Sequence, residues 1–455
     1  MTRFVRAMAV VVGLAAFPPA AAPAAAAPEA APVPNPSVIG PIAPTAEPGD
    51  ASHGYPFLAT EVDLARHGYV EEEYFIDGFA RNYATPPLAT GEEVPGGGPY
   101  RTRIVVRRPA SAKDFNGTVA LEWINVTAQY DLEIDWFASH EHFVRRGWAW
   151  VGVSAQRVGV NALRDWSSRY DSLGGSILTA GDPMSFDIFS QAAQAIRSPA
   201  GVAPLGELQA KRLIATGHSQ SAGRLATYHN SIQPLHGVVD AFVLHGAESP
   251  IRSDLDVKAM RVLAEGDVDT QSSEPDNDHF RRWEVAGTSH VGFNESNEYT
   301  PLVLRDRGSL APRECDRPPL SRIAFHHVLN AAYDNLERWT EGGAAPPVGP
   351  RLAWTTPTTK ARDAHGNALG GIRLPQHEVA TAVNTGDNGG TGFCRLYGSH
   401  EPFDEGTLAA LYPSHGSYVS AINRATSESL KGGFIGREDA LETRREAARS
   451  EVGRK

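Results

Sequence analysis

A serine in a turn of small residues is the first group in this sequence that could do chemistry. Ser219 lies at the centre of "GHSQS" (217–221), after an apolar run and before a segment with a helical pattern. A strand that enters a helix through small residues can present a strained, exposed nucleophile, because larger side chains beside it would clash. Ser221 stands where a second glycine is usual, and its side chain is also small. The pattern predicts Ser219 as a nucleophile, and a serine in an ordinary turn is the alternative.

The groups that would activate such a serine occur later in the chain. A serine hydroxyl becomes a nucleophile when a histidine takes its proton, and a carboxylate must orient that histidine. The strand-like stretch "MRVLAEGDVDT" carries Glu265, Asp267 and Asp269 at its end, and "WEVAGTSH" ends in His290. Serine, acid and histidine in this order predict a catalytic triad for acyl transfer. The three carboxylates are all candidates for the acid.

Acyl transfer also needs N–H donors for the oxyanion that develops on the substrate. The residue after the nucleophile usually supplies one donor, which predicts the backbone N–H of Gln220. The second donor is expected from the loop that follows "TVALEWINV", near Asn125. This chemistry requires no cofactor. No metal site is expected either, because the cysteines lack the CxxC spacing of zinc sites.

Alternating strand and helix patterns must position these groups. Apolar, β-rich runs predict strands at 118–126 and 148–154, and helical periodicity predicts a helix at 186–197. Further strand-like runs, "RLIAT", "AFVLHGA" and "RRWEV", follow with helix-like segments among them. This alternation predicts an α/β fold with a mostly parallel central sheet and helices on both faces. A shorter strand is predicted at 62–65.

The ends of the chain differ in composition from its middle. Residues 1–27 combine a basic start, a short apolar run and small residues, which predicts a cleaved signal peptide, and the Ala/Pro-rich stretch 28–53 predicts a flexible leader. The core is expected over 54–345, with a lid-like insertion at 156–184, and a C-terminal extension packed on the core is expected over 346–455. The predicted location is secreted or periplasmic, with no membrane span.

The overall composition is typical of a globular protein that does not bind nucleic acid. The 455 residues include 42 basic and 53 acidic side chains, a formal charge of −11, and no cluster of Lys and Arg. Cys315 and Cys394 fit an oxidising compartment, where two distant cysteines are more typical of a disulfide than of a metal site. Two unpaired thiols are the alternative, and the oligomeric state is left open.

Several longer stretches resemble the secreted alpha/beta hydrolase domain proteins, an esterase-like family. They include "ALEWINVT", "WAWVGVSAQRVGV", "FDIFSQAAQAIR", "GHSQSAGRLATY", "RRWEVAGTSH" and "DAHGNALGGIRLP", and the resemblance runs from about residue 53 to the C terminus. It implies an α/β-hydrolase fold with a C-terminal extension and supports Ser219, Asp267 and His290 in the triad. It also favours a structural pair between Cys315 and Cys394.

The choice of the acid rests on a second resemblance. The stretch "AEGD" looks like the A-E-x-D turn of cutinase-like hydrolases, in which the aspartate is the triad acid. This favours Asp267, followed by Asp269 and then Glu265. The predicted function is hydrolysis of a small-molecule carboxylic ester through an acyl-enzyme. A peptidase or amidase with the same triad, and a non-catalytic binding protein of the same fold, are the alternatives.

Overall fold

The computed structural model describes residues 32–311 and 313–454, so the predicted signal peptide, 1–27, lies outside the described residues. A large sheet runs through this part of the chain in the order β1-β2-β3-β5-β4-β7-β8-β9-β10, and β6 pairs with β3. Its strands are β1 (Ser37–Ile39), β2 (Tyr69–Ala84), β3 (Glu92–Pro109), β4 (Thr118–Trp123), β5 (Ala149–Val153), β6 (Gly174–Gly175), β7 (Arg212–His218), β8 (Ala241–His245), β9 (Lys258–Ala264) and β10 (Phe280–Val285).

Six neighbouring strands of the sheet pair in parallel, in the order β5, β4, β7, β8, β9 and β10. The pairs that involve β1, β2 or β3 are antiparallel. Every residue of β4, β5 and β8 is buried, as expected for parallel strands that are covered on both faces. This confirms the predicted α/β fold with a mostly parallel central sheet. It also brings the carboxyl ends of β7, β9 and β10 to the same edge.

Thirteen helices are found in the described residues. They are α1 (Ile134–Arg146), α2 (Arg157–Trp166), α3 (Ile177–Ala180), α4 (Ser185–Arg197), α5 (Gln220–Thr227), α6 (Gln233–His236), α7 (Phe293–Arg307), α8 (Phe325–Thr340), α9 (Pro375–Glu378), α10 (Cys394–Tyr397), α11 (Glu405–Leu411), α12 (His415–Gly432) and α13 (Arg437–Arg449). A π-helical turn, Tyr228–Ile232, joins α5 to α6. None of the described helices is long and apolar enough to cross a membrane.

The N-terminal part of the described chain differs from the sequence-based expectation. Residues 28–53 were expected to be flexible, but β1 pairs with β2 at the edge of the sheet and Val38 is buried. The strand expected at 62–65 is wrong, because Asp63 accepts a hydrogen bond from the Arg66 N–H and the chain enters a 3₁₀ helix, Ala65–His67. A local side-chain bond here replaces strand pairing.

The segment predicted as a lid, 156–184, packs against the body of the protein. Trp166 stacks on His53 with ring centroids 4.5 Å apart, and the Tyr170 hydroxyl donates a 2.7 Å hydrogen bond to Glu73 on β2. Both aromatic side chains are buried. These contacts fix the segment to the N-terminal side of the sheet.

The chain beyond 345 forms two small hairpins and the last five helices. The hairpins are β11 (Trp354–Thr356) with β12 (Thr359–Lys360), and β13 (Ala382–Thr385) with β14 (Ser399–Pro402). The buried carboxylate of Glu284 on β10 accepts the Leu352 N–H at 2.9 Å, and a disulfide joins Cys315 to Cys394. These contacts hold residues 346–454 on the core.

Candidate active site

The turn between β7 and α5 places Ser219 in a backbone conformation that few non-glycine residues adopt. Its φ is 60° and its ψ is −119°, and its N–H donates to the carbonyl of His245 on β8 at 2.7 Å. A Cβ on Gly217 would lie 3.1 Å from Cβ of Ser221, which explains the need for small residues on both sides. The hydroxyl therefore stands on a strained, well-supported elbow at the edge of the sheet.

The structure brings Ser219, His290 and Asp267 together. His290 Nε2 lies 2.8 Å from Ser219 Oγ, and His290 Nδ1 forms a hydrogen bond with Asp267 Oδ1. The other oxygen of Asp267 accepts the Ala264 N–H at 2.7 Å, which fixes the carboxylate. With the Nδ1 proton donated to Asp267, Nε2 is free to accept the serine proton.

The other two candidate carboxylates do not reach His290. Glu265 is buried and accepts hydrogen bonds from the Gly287 N–H at 2.7 Å and from Arg362 at 2.8 Å. Asp269 is exposed and has no contact with His290 among the hydrogen bonds and ion pairs of the described residues. Of the three carboxylates named from the sequence, only Asp267 lies against the histidine.

The predicted oxyanion donors have different surroundings. Gln220 begins α5, so its backbone N–H belongs to the first turn, where helix geometry provides no intrahelical acceptor. The donors of Asn125 are already engaged, because its backbone N–H bonds to the Leu132 carbonyl at 3.2 Å and its side-chain amide bonds to the His218 carbonyl at 2.9 Å. Asn125 therefore ties the loop after β4 to the elbow.

Two buried histidines, His218 and His245, lie behind His290. The ring of His218 lies between His290 and His245, with centroid distances of 4.4 and 4.3 Å, and its Nε2 donates to the His290 carbonyl at 3.0 Å. Burial, with the nearby histidines, lowers the pKa of His218 well below its ordinary value. His218 is therefore a neutral ring that supports the backbone of His290.

His245 has the opposite electrostatic setting. Its Nδ1 lies 2.7 Å from Asp135 at the start of α1. Burial disfavours the charged ring, but the hydrogen bond and charge of Asp135 outweigh it and raise the pKa of His245. Asp135 also accepts a 2.8 Å hydrogen bond from Thr216 on β7. Asp135 was not predicted from the sequence, because it lies far from the elbow along the chain.

Glu122, in the middle of the apolar strand β4, anchors the start of α1. Its carboxylate accepts the N–H groups of Asp135 and Trp136, and the indole N–H of Trp150. Burial and the neighbouring Asp135 raise the pKa of Glu122 well above its usual range. The sequence signal for this role is that Glu122 is the only charged residue in the apolar stretch "VALEWI" (119–124).

A cavity of about 340 Å³ opens onto Ser219 and His290. Its walls are mostly apolar and aromatic, and they include Leu132, Ile134, Tyr130, Tyr299, Leu310, Phe393, Leu396 and Tyr397. Two further segments contribute to the lining, residues 309–311 with Arg313, and Phe393 with Leu396 and Tyr397. The disulfide between Cys315 and Cys394 connects the chain close to these two segments. No residue of 156–184 is among those that line this cavity, so the lid role of that segment stays a prediction.

Comparisons with known proteins agree with this architecture. Residues 38–445 match the family model described as "alpha/beta hydrolase domain". An α/β serine hydrolase without a lid from Xanthomonas campestris shares 13% identity over 51% of this chain and 97% of its own, with a TM-score of 0.28. A carboxylesterase from Lactobacillus plantarum shares 12% identity over 50% of this chain and 80% of its own, with a TM-score of 0.25. A search of curated proteins gave no match.

The family assignment rests on the family model, which spans most of the chain, from β1 to the last helix. The strand order, the elbow after β7 and the residues after β9 and β10 follow the arrangement of α/β hydrolases. The chain therefore belongs to the alpha/beta hydrolase domain family.

Proposed function

We propose that the protein is a secreted serine hydrolase that cleaves carboxylic esters through Ser219, His290 and Asp267. The observation that carries the proposal is the 2.8 Å contact between His290 Nε2 and Ser219 Oγ, with Asp267 on the opposite nitrogen of the ring. Nucleophile, base and orienting acid in this arrangement are what acyl transfer requires.

In the proposed reaction, His290 Nε2 takes the proton of Ser219 Oγ as the oxygen attacks the ester carbonyl. The tetrahedral intermediate collapses when the bond to the alcohol oxygen breaks and His290 returns the proton to that oxygen. A water molecule, deprotonated by His290, then attacks the acyl carbon and releases the acid and free Ser219. Asp267 holds the ring and stabilises its charged form throughout.

For the oxyanion we propose the backbone N–H of Gln220 and a second donor from the loop after β4. The N–H groups of Ile124, Asn125 and Thr127 bond to the Val153 carbonyl, the Leu132 carbonyl and the Asn125 side chain. Within the described part of the chain, the N–H groups of Val126 and Ala128 have no acceptor, and Ala128 lines the cavity. These two N–H groups are the better candidates in this loop, and Asn125 acts by holding the elbow.

The test is hydrolysis of p-nitrophenyl acetate and butyrate by the purified protein and two serine variants. Ser219→Ala is expected to lower kcat/KM by about 10³-fold or more. Ser221→Ala, two residues away and buried, keeps the fold and is the matched control with near wild-type activity. Full activity in Ser219→Ala would refute the nucleophile.

The alternatives lead to different results in the same assays. A panel of matched aryl esters and aryl amides separates an esterase from a peptidase or amidase, because an amide needs a protonated amine to leave. A non-catalytic protein would fail to react at Ser219 with a fluorophosphonate probe. Secretion predicts that protein recovered outside the cytoplasm begins after residue 27, which N-terminal sequencing checks.

A further inference from the structure

The last described helix, α13, packs on the protein with little apolar surface. Its buried side chains are Asp439, Ala440, Thr443 and Ala447. Two alanines contribute only a small hydrophobic stabilisation, because that stabilisation scales with the apolar area removed from water. Polar contacts must therefore carry much of the attachment of α13.

One group of polar side chains, the His327 cluster, lies where α13 meets α8. It consists of His327 on α8 and of Asp439 and Glu442 on α13, and one ligand atom from each lies within 4.8 Å of the others. Asp439 and Glu442 are three residues apart, so they share one face of the helix. The cluster thus joins the last helix to the core.

His327 has no hydrogen-bond partner among the described residues. Its side chain is 2% exposed, and both ring nitrogens are buried and unpaired. Its Nε2 lies 3.6 Å from Glu442 Oε2, which is too long for a hydrogen bond. A buried imidazole without a partner is costly, so this nitrogen points to a ligand between it and the carboxylates.

The spacing and charge fit a metal ion. Ligand atoms bound at 2.0–2.2 Å to a tetrahedral zinc ion are about 3.4 Å apart, close to the separation of His327 and Glu442. Arg145 forms an ion pair with one oxygen of Asp439 at 3.1 Å. The carboxylates of Asp439 and Glu442 carry two negative charges against the single positive charge of Arg145, so the net charge of the cluster favours binding of a cation. A cavity of about 60 Å³ beside Asp439 and Glu442 leaves room for a water ligand.

We propose that His327, Asp439 and Glu442 bind a zinc ion that fastens α13 to α8. One imidazole and two carboxylates suit zinc better than the harder ions magnesium and calcium, which take oxygen ligands alone. The site departs from the expectation of no metal that the cysteine spacing supported. It lies outside the active-site cavity and does not depend on the proposed ester hydrolysis.

The test uses the full chain, stripped with a chelator and dialysed against zinc chloride. Wild-type protein is expected to retain one zinc per chain by elemental analysis and to gain a few degrees in Tm over the stripped form. His327→Ala and Glu442→Gln are expected to lose both effects. Glu438→Gln removes an exposed carboxylate from the same helix and is expected to keep them.

Three results would overturn the proposal. Zinc below about 0.1 per chain in the wild type leaves only a histidine–glutamate ion pair. Zinc retained in both His327→Ala and Glu442→Gln places the metal elsewhere. An equal Tm gain with magnesium chloride in place of zinc indicates a non-specific ionic effect. If His327→Ala does not fold, Glu442→Gln alone decides, because its side chain is half-buried and keeps its size.

Discussion

Three carboxylates lie close together after β9, yet each has a different environment. Glu265 accepts hydrogen bonds from Arg362 and the Gly287 N–H. Asp267 forms hydrogen bonds with His290 and the Ala264 N–H. The side chain of Asp269 is exposed to solvent. The direction of a short 3₁₀ helix, Glu265–Asp267, decides which of them faces the histidine. Residue type alone therefore does not define the acid.

Asp267→Asn is expected to lower kcat for aryl esters by about 10³- to 10⁴-fold, because an amide no longer holds His290 in the tautomer that accepts the serine proton. The fold should persist, since the substitution keeps the shape of the side chain. Steady-state kinetics and far-UV circular dichroism measure the two effects. Asp269→Asn is the matched control with near wild-type kcat, and a larger loss in that variant would contradict the assignment.

The sequence predicted the members of the candidate triad because their order and their positions at strand ends are local signals. Their ranking needed a resemblance to other hydrolases. The pairing of Asp135 with His245 could not be predicted, because the two residues are 110 positions apart in sequence and meet only when α1 packs on the sheet. Contacts of this kind depend on tertiary packing, which periodicity does not encode.

At the scale of elements, the elbow between β7 and α5 depends on two glycines in different ways. A Cβ on Gly217 would press on Ser221 and Leu225 at 3.1 and 3.2 Å, whereas a Cβ on Gly223 would meet only the Ser249 hydroxyl, at 3.4 Å. Gly223 also lies inside α5, where glycine lowers helix stability. The same residue type is required at one position and dispensable at the other.

Gly217→Val is expected to lower the free energy of unfolding by about 1–3 kcal/mol and to reduce activity, because the elbow must shift to admit the side chain. Gly223→Ala, the matched control, is expected to raise the free energy of unfolding by about 0.5–1 kcal/mol and to retain activity. Urea unfolding and ester hydrolysis measure both variants. A Gly217→Val protein as stable and active as the wild type would contradict this account of the turn.

Elements with strong periodicity were predicted closely, and elements without it were not. The helix expected at 186–197 corresponds to α4, Ser185–Arg197. The strands β2 and β3 run over 16 and 18 residues, and the stretch "PGGGP" (95–99) inside β3 carries no strand pattern. Helix α7 was not predicted from the sequence, because it contains Pro301 and few apolar residues.

For the molecule as a whole, burial of neutral histidines links stability to pH. Burial, together with nearby arginines, lowers the pKa of His142 to about 3. Between that value and its ordinary pKa of about 6.5, the unfolded chain binds a proton that the folded chain does not. Stability therefore rises with pH across this window and is lost as pH falls below about 6.5.

His142→Gln is expected to flatten this dependence. Between pH 7 and pH 5 the wild-type protein should lose about 2 kcal/mol more unfolding free energy than the variant, from the linkage relation for one group. Urea unfolding at the two pH values measures the difference. His365→Gln, which removes an exposed histidine, should follow the wild type. Equal losses in all three proteins would show that His142 does not remain neutral in the folded state.

The disulfide gives the molecule two kinds of order at its candidate active site. Ser219, Asp267 and His290 follow the carboxyl ends of β7, β9 and β10, whose positions depend on the packing of the sheet. Part of the wall of the cavity beside them comes from two segments that the bond between Cys315 and Cys394 connects nearby. The proposed catalytic groups are thus arranged by folding alone, and the shape of that wall also depends on oxidation. If the protein is the proposed esterase, reduction of the disulfide would alter which acyl groups fit more than it would alter the triad.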